Sequence, residues 1–248
     1  MSKHTPKTEL LYQKSKPIDH LSLFDGLSLM IKEQKDAALE VKRSINLIEQ
    51  AIEAIYKHLT LNTKGRLIYV GAGTSARIGV QDGVELFPTF NWPKKRLDFI
   101  IAGGINALLN AVENAEDDTH SAEKIVKDKL IFRDDVVIGI AASGNTPFTC
   151  RVLEKAKNKS ALTIALSNNP NGKILKYGDH KIILNTQEEV IAGSTRLKAG
   201  TSQKICLNII SSMVMIKMGR VKNGMMTEMV PTNKKLRLRK KKLINFIN

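Results

Sequence analysis

Apolar positions change their spacing partway along this chain. From Ser22 onward, Leu23, Leu27, Met30, Ile31, Ala37, Leu39 and Val41 recur at helical intervals, and Ile45, Ile48, Ile52, Ile55 and Leu59 continue the rhythm. This spacing predicts two helices with dry faces available for packing. After Lys64-Gly65 the apolar residues gather instead into short unbroken runs: Arg66–Val70, Leu97–Ala102, Val136–Ala141, Leu162–Leu166 and Lys181–Leu184. Runs without alternation are expected of strands covered on both faces, as in a parallel sheet. Between them the pattern predicts helices at Ser75–Leu86, Ile105–Asn114, Ala122–Leu130 and Pro147–Asn158, with a last long one near Lys198–Met218. The alternation predicts an α/β fold, a doubly wound parallel sheet of about five strands flanked by helices, preceded by the amino-terminal helices. Residues 1–20 read as a polar arm, 21–233 as one domain without repeats or interior linker, and 234–248 as a basic tail.

Composition narrows the function classes. The 248 residues are 42% hydrophobic and 25% charged, enough for a full core and ordinary for a globular chain. Seven of the cations behind the net charge of +15, Lys234, Lys235, Arg237, Arg239, Lys240, Lys241 and Lys242, stand at the end without an acid among them, and the remaining charge is spread over the rest. Elsewhere there is no basic stripe with interleaved aromatics, so no specific nucleic-acid partner is expected. Cys150 and Cys206 are far apart and read as buried thiols, while His4, His20, His58, His120 and His180 are scattered without ligand spacing. Neither a disulfide framework nor a metal site is expected. The most apolar stretch, Ile205–Ile216, is interrupted by Asn208, Ser211 and Ser212, and Met1–Glu9 has no apolar signal core. No membrane partner is expected, and a reducing cytoplasm is the expected setting. Met213, Met215, Met218, Met225 and Met226 are expected to pack in the core or between subunits.

Ligands of such sheets sit at the carboxyl ends of the strands. The first loop there is Gly71-Ala-Gly-Thr-Ser-Ala-Arg77, directly after a strand and opening a helix. Gly73 allows close backbone approach, the helix start offers free N–H groups to an anion, and Thr74 and Ser75 add hydroxyls. Gly71, Gly73 and Ala76 also fit a GxGxxA nucleotide pattern, but the second strand ends Ile100-Ile-Ala-Gly-Gly104, without the acid that would hold a ribose. A second hydroxyl-rich turn, with Ser143, Gly144, Asn145 and Thr146, follows the third strand at Ala141–Pro147. Each loop alone reads as plain helix capping; two on one sheet edge favour a small phosphorylated ligand.

Gly-Ala-Gly-Thr-Ser followed by Ala-Ala-Ser-Gly-Asn-Thr-Pro resembles the sugar isomerase (SIS) domain, which holds phosphosugars. The segments Gln81–Phe90, Ile101–Gly104, Ala111–Asp118 and Gly193–Lys204 are similar to the N-acetylmuramic acid 6-phosphate etherase family, and the resemblance runs from about Thr8 to Asn233. It implies cleavage of the D-lactyl ether of N-acetylmuramic acid 6-phosphate by elimination then water addition, giving N-acetylglucosamine 6-phosphate and D-lactate, with no cofactor. It implies Glu85 as the acid/base residue and Glu116 as the activator of water, both expected in settings that raise their pKa values. It also implies a homodimer in which the partner contributes to the pocket. By spacing alone Glu85 and Glu116 read as surface acids, and Asp82 and Glu113, one turn before each, as solvated helix charges. Ser194, Thr195 and Lys198, with Arg196, read equally as substrate ligands or as a capped helix start whose cations face water. Two other functions compete: a non-catalytic phosphosugar-binding regulator, as in the related glucokinase-regulatory proteins, and aldose–ketose isomerisation of a phosphosugar.

Overall fold

The computed structural model describes residues 5–231 and Arg237. The first four residues of the arm, and the basic tail at 234–248 apart from Arg237, lie outside the described residues.

Helix α1 (Leu23–Arg43) starts where the Ser22 side chain accepts from Asp25 N, and α2 (Ile45–Leu61) follows after Ser44. On α2 the expected dry face is buried: Ile48, Ala51, Ile52, Ile55 and Leu59. On α1 it is narrower than the spacing predicts. Only Gly26, Glu33, Ala37 and Val41 are buried, while Leu23, Phe24, Leu27 and Ile31 remain exposed.

Five parallel strands follow: β1 (Leu67–Gly71), β2 (Leu97–Ile101), β3 (Val136–Ala141), β4 (Leu162–Ser167) and β5 (His180–Ile183). Their order in space is β2-β1-β3-β4-β5, so the direction of winding reverses between β1 and β3. Alternate residues serve two cores. Leu67, Tyr69, Ile138, Ile140, Ile164 and Leu166 face α2 and the late helix α7 (Lys198–Lys217), where Ile52, Ile55, Leu207 and Ile210 meet them. Ile68, Val70, Ile100, Val137 and Ala165 face α5 (Thr119–Asp128) and α6 (Pro147–Asn158), meeting Ala122, Val126, Phe148 and Val152. Double coverage explains the unbroken apolar runs; each large side chain so buried contributes about 1.5–3 kcal/mol.

Helix α3 (Gly73–Val84) leaves the carboxyl end of β1 and runs back along the sheet, and the short α4 (Leu86–Phe90) continues from it. Beyond α7, Val221–Lys222 (β6) and Met225–Met226 (β7) form a small hairpin. The helix predicted at Ile105–Asn114 is instead a 3-10 turn at Ile105–Leu108 followed by irregular chain. The Arg77 guanidinium takes the carbonyls of Ala107, Leu108 and Asn110, acceptors that further helical turns would need, and Asn114 adopts a left-handed φ of 58°.

Two charged residues are buried, Asp82, expected to face solvent, and Lys198, expected to meet substrate or to face water. Asp82 lies between α3, β1 and α7, where its carboxylate accepts from the Tyr69 hydroxyl at 2.7 Å, Asn208 Nδ2 at 2.6 Å and Ser211 Oγ at 3.0 Å. Burial, then the Asp82 charge, pushes the Tyr69 phenol well above its ordinary pKa. Lys198, the first residue of α7, is 2% exposed and its ammonium pairs with Glu33 of α1. Glu33 also accepts from the Tyr12 hydroxyl at 2.9 Å. Burial pulls the Glu33 pKa up, but the hydrogen bonds from Lys198 and Tyr12, with the lysine charge, outweigh it and hold the carboxyl below its ordinary value.

These two clusters give separate stability predictions. Asp82→Ala removes the shared acceptor of three buried donors and is expected to cost about 2–4 kcal/mol, measured as a lower urea midpoint. Lys198→Met leaves Glu33 buried without its cation and is expected to cost about 3–5 kcal/mol at pH 7. The sign with pH follows from Glu33. In the parent its lowered pKa favours the folded state above the ordinary glutamate range and loses that contribution as pH falls through the folded value. In the variant the unpaired carboxyl shifts upward, so its penalty is relieved on acidification. Urea unfolding at pH 7 and pH 4.5 checks that the gap between the two proteins narrows at the lower pH.

Candidate functional site

All five strands run the same way, so the loops that leave their carboxyl ends share one rim of the sheet. The first turn joins β1 to α3. Ala72 occupies the N-cap position with no side-chain cap, which leaves the opening N–H groups of α3 without a capping oxygen. Gly73 adopts a φ of 51°, and a Cβ there would lie 3.2 Å from Glu116 Oε1. The Glu116 carboxylate therefore lies over this turn.

The second turn joins β3 to α6. Thr146 is the N-cap, Pro147 is the first helical residue, and again no side chain caps the start. Gly144 has a φ of 71°, and a Cβ on it would strike Gly172 Cα and Ser167 Oγ at 2.5 Å, so only glycine fits. Ser143 Oγ accepts from Asn145 N at 3.1 Å, which leaves its proton for a ligand. Asn145 is committed elsewhere: its Oδ1 accepts from Lys173 N at 3.0 Å and braces the neighbouring turn. Glu116 is tied to this turn too, because its carbonyl accepts from Phe148 N at 2.9 Å. Its backbone is thus fixed at the start of α6 while its side chain reaches the start of α3.

The third segment reaches the same rim through α7. Gly200 lies where a Cβ would be 3.3 Å from both Thr195 O and Thr74 Cγ2, which sets Thr195 and Thr74 side by side. Ser194 and Thr195 are half-buried, and Arg196 is exposed. Lys198 corrects the expectation of a substrate ligand or a solvated cation, since it is buried and held by Glu33. Glu189 caps this helix by accepting from Lys198 N at 3.0 Å and Ala199 N at 2.8 Å. Burial raises the Glu189 pKa, against the pull of those two amides.

Ser75 is buried, and its hydroxyl donates to Gln203 Oε1 at 3.0 Å. Gln203 Nε2 donates to Asn168 Oδ1 at 2.9 Å, and Asn168 Nδ2 reaches Leu184 O, Thr186 Oγ1 and Ser202 Oγ. The direction of this relay is fixed, because a backbone carbonyl only accepts and the Ser202 proton goes to Ala199 O. Asn168 N also donates to Ala142 O at 3.1 Å, so one asparagine holds both turns. The sequence reading missed Gln203, Asn168, Glu33 and Glu189. The signal available was polar or acidic residues on otherwise apolar helix stripes: Gln203 in line with Cys206, Leu207 and Ile210, and Glu33 in line with Gly26, Ala37 and Val41.

Glu85 is not brought to this rim. It follows the last residue of α3, so about 18 Å of helix separates it from Gly73. Its neighbour Leu86 packs in the core that also holds Leu59, Leu67 and Trp92, at the amino ends of the strands. Within one chain, then, Glu85 and Glu116 do not flank a shared pocket. The reason is geometric, since a helix that starts at the carboxyl rim ends near the opposite one. Both carboxylates are exposed on the isolated chain. Cys150 and Cys206 are buried thiols as expected; burial pushes Cys150 up to about 11 and Cys206 higher. Among the described residues no helix is long and apolar enough to cross a membrane, and no three His, Cys, Asp or Glu side chains are grouped to hold a metal ion.

Comparison with known proteins agrees with this geometry. Residues 48–157 match the Glucokinase regulatory protein N-terminal SIS domain, and residues 103–216 match the SIS domain. The fold is shared with the phosphoheptose isomerase from Francisella tularensis, at a TM-score of 0.60 and 21% identity over 78% of this chain and 98% of that one. The chain is 41% identical to N-acetylmuramic acid 6-phosphate etherase from Bacillus cereus over 237 residues, covering 96% of this chain and 80% of that protein. It is 40% identical to the enzyme of the same name from Oenococcus oeni, covering 96% and 79%. With nearly its whole length aligned at this identity, on the sheet order and turns just described, the chain belongs to the N-acetylmuramic acid 6-phosphate etherase family.

Proposed function

We propose that this protein cleaves the D-lactyl ether of N-acetylmuramic acid 6-phosphate, releasing D-lactate and N-acetylglucosamine 6-phosphate. One observation carries the reading: two uncapped helix starts and the Glu116 carboxylate meet at one rim of the sheet, in a chain of this family. The N–H groups opening α3 receive the phosphoryl oxygens, Gly73 and Gly144 let them approach, and Thr74, Ser143 and Thr146 add hydroxyl donors. Ser75 lines the first turn with its proton held by Gln203, and Ser194 and Thr195 border the sugar.

An ether is a poor leaving group, so elimination is easier than displacement. Opening of the sugar ring exposes the C1 aldehyde and makes the C2 proton acidic. A base removes that proton as the C3–O bond breaks, the C2–C3 double bond forms, and the lactate oxygen gains a proton. Water then adds across the double bond, its oxygen to C3 and a proton to C2. Glu85 serves as base and acid in the first half, and Glu116 activates the water in the second. Since Glu85 lies a helix length from the turns of its own chain, a homodimer delivers it to the pocket of the partner. Closure by the second subunit also shields both carboxylates from bulk water. Buried reduced thiols and a phosphorylated sugar substrate fit a cytoplasmic setting.

The match to the glucokinase-regulatory domain supports a second reading, a phosphosugar-binding regulator without catalysis. Glu85→Gln and Glu116→Gln separate the two. Each is expected to lower D-lactate release by about 10²–10⁴-fold while phosphosugar binding persists. Subunits of the two variants, dissociated and reassociated together, are expected to recover about a quarter of parental activity, since half of the random pairs hold one intact pocket. Dimers that exchange subunits yet recover nothing would rule out delivery of Glu85 by the partner. A parent that binds phosphosugar and releases no lactate at high enzyme concentration would favour the regulator.

A further inference from the structure

The amino-terminal arm is anchored at the rim of the sheet. Thr8 is fully buried, and its carbonyl accepts from Gly193 N at 3.1 Å. Further along, the Tyr12 hydroxyl donates to Glu33, and the Lys14 ammonium stands 3.3 Å from the Glu188 carboxylate. Ahead of these two ties, Lys7–Glu9 makes one 3-10 turn, and the Glu9 side chain lies over the segment that leads into α7. A Cβ on Gly193 would lie 3.0 Å from Glu9 Oε2 and 3.9 Å from its Cδ, so a carboxylate oxygen is what meets this residue. Gly193 has a φ of 74°, and the side chain it lacks leaves the room that this oxygen occupies. The other oxygen accepts from Thr8 Oγ1 at 3.4 Å.

We infer that Glu9 is a further substrate-binding residue, whose carboxylate accepts hydrogen bonds from hydroxyl groups of the bound sugar. Two observations converge on it. The first is position. Gly193 O accepts from Thr195 N at 2.9 Å in a tight turn, and Thr195 stands beside Thr74 at the opening of α3. A ligand whose phosphoryl group is held at that opening has the Glu116 carboxylate over Gly73 and the Glu9 carboxylate over Gly193, with Thr74 and Thr195 between them. The second is chemistry. The helix N–H groups and the hydroxyls of Thr74 and Ser143 are donors, suited to phosphoryl oxygens. A sugar also presents hydroxyl protons, which need acceptors. An ionised carboxylate is an acceptor with two oxygens, and hydrogen bonds to it are stronger than those to a neutral group. The inference rests on the phosphosugar reading of this rim and adds to it a residue from the arm.

Glu9→Ala and Glu9→Gln test it, with binding of N-acetylglucosamine 6-phosphate measured by calorimetry and inorganic phosphate, as a competitor, for control. The alanine variant is expected to bind the sugar phosphate about 10–100-fold more weakly, as for loss of hydrogen bonds to a charged acceptor, and to keep the parental affinity for inorganic phosphate. The glutamine variant, which retains one carbonyl acceptor, is expected to fall between the two. In D-lactate release the loss is expected in KM, with kcat little changed, as for an interaction made equally in ground and transition states. Unchanged binding of the sugar phosphate overturns the inference. So does an equal loss for both ligands, or a lowered urea midpoint that accounts for it, since Glu9 would then only brace the arm. The two readings fail separately. A parent that binds the sugar phosphate and releases no lactate, and whose alanine variant loses that binding, removes the etherase reading and keeps the contact. An active parent whose alanine variant binds and turns over alike does the reverse, and a parent that binds no sugar phosphate removes both. If the alanine variant does not fold, the isosteric glutamine variant decides: weaker binding of the sugar phosphate alone supports the contact, and parental binding overturns it.

Discussion

The parallel sheet is the constraint on which the rest depends. Once the central strands β1, β3 and β4 are buried on both faces, every crossover helix must begin at the carboxyl rim and return to the amino rim. Free N–H groups therefore collect on one side of the molecule, and helix ends collect on the other. The first consequence gathers the turns at Gly73 and Gly144 beside Glu116. The second sends Glu85 away from them. A single subunit of this topology gives the turns at Gly73 and Gly144 and the Glu85 side chain to opposite rims.

Much of the fold was legible because the sheet is so deeply buried. Val136–Ala141 and Pro147–Asn158 fall where the apolar runs and the helix-starting proline put them, and no end of the other strands differs from the expected bound by more than one residue. What periodicity does not show is which apolar stripe finds a partner. Leu23, Leu27 and Ile31 recur at helical intervals just as Ile48, Ile52 and Ile55 do, yet only the second set meets the sheet. Nor does it register a distant competitor: Arg77 captures the carbonyls on which a helix after Ile105 would depend.

The two turns of the candidate site were legible from glycine and hydroxyl residues following apolar runs. The polar frame behind them was not. Asp82 and Lys198 each have the sequence neighbourhood of a solvated helix charge, and only the packing of α7 against α3 and α1 buries them. Gln203 and Asn168 are 35 residues apart in sequence and meet only after β4 and α7 are in place. A single sequence records residue type and spacing, and none of these contacts depends on local spacing.

That buried frame gives α7 its position. A buried ion pair such as Lys198–Glu33 is a poor source of net stability, because desolvation offsets much of the attraction. Its effect is selective. Sliding α1 by one turn would bring Leu29 or Ala37 opposite the ammonium and leave both charges unpaired in the interior, at a cost of several kcal/mol. The register of α1 against α7 is thereby fixed. From the same helix Gln203 holds Ser75 and, through Asn168, the spacing between the two turns. The seating of α1 and the geometry of the two turns are thus set by one element, so a change that moves α7 moves both.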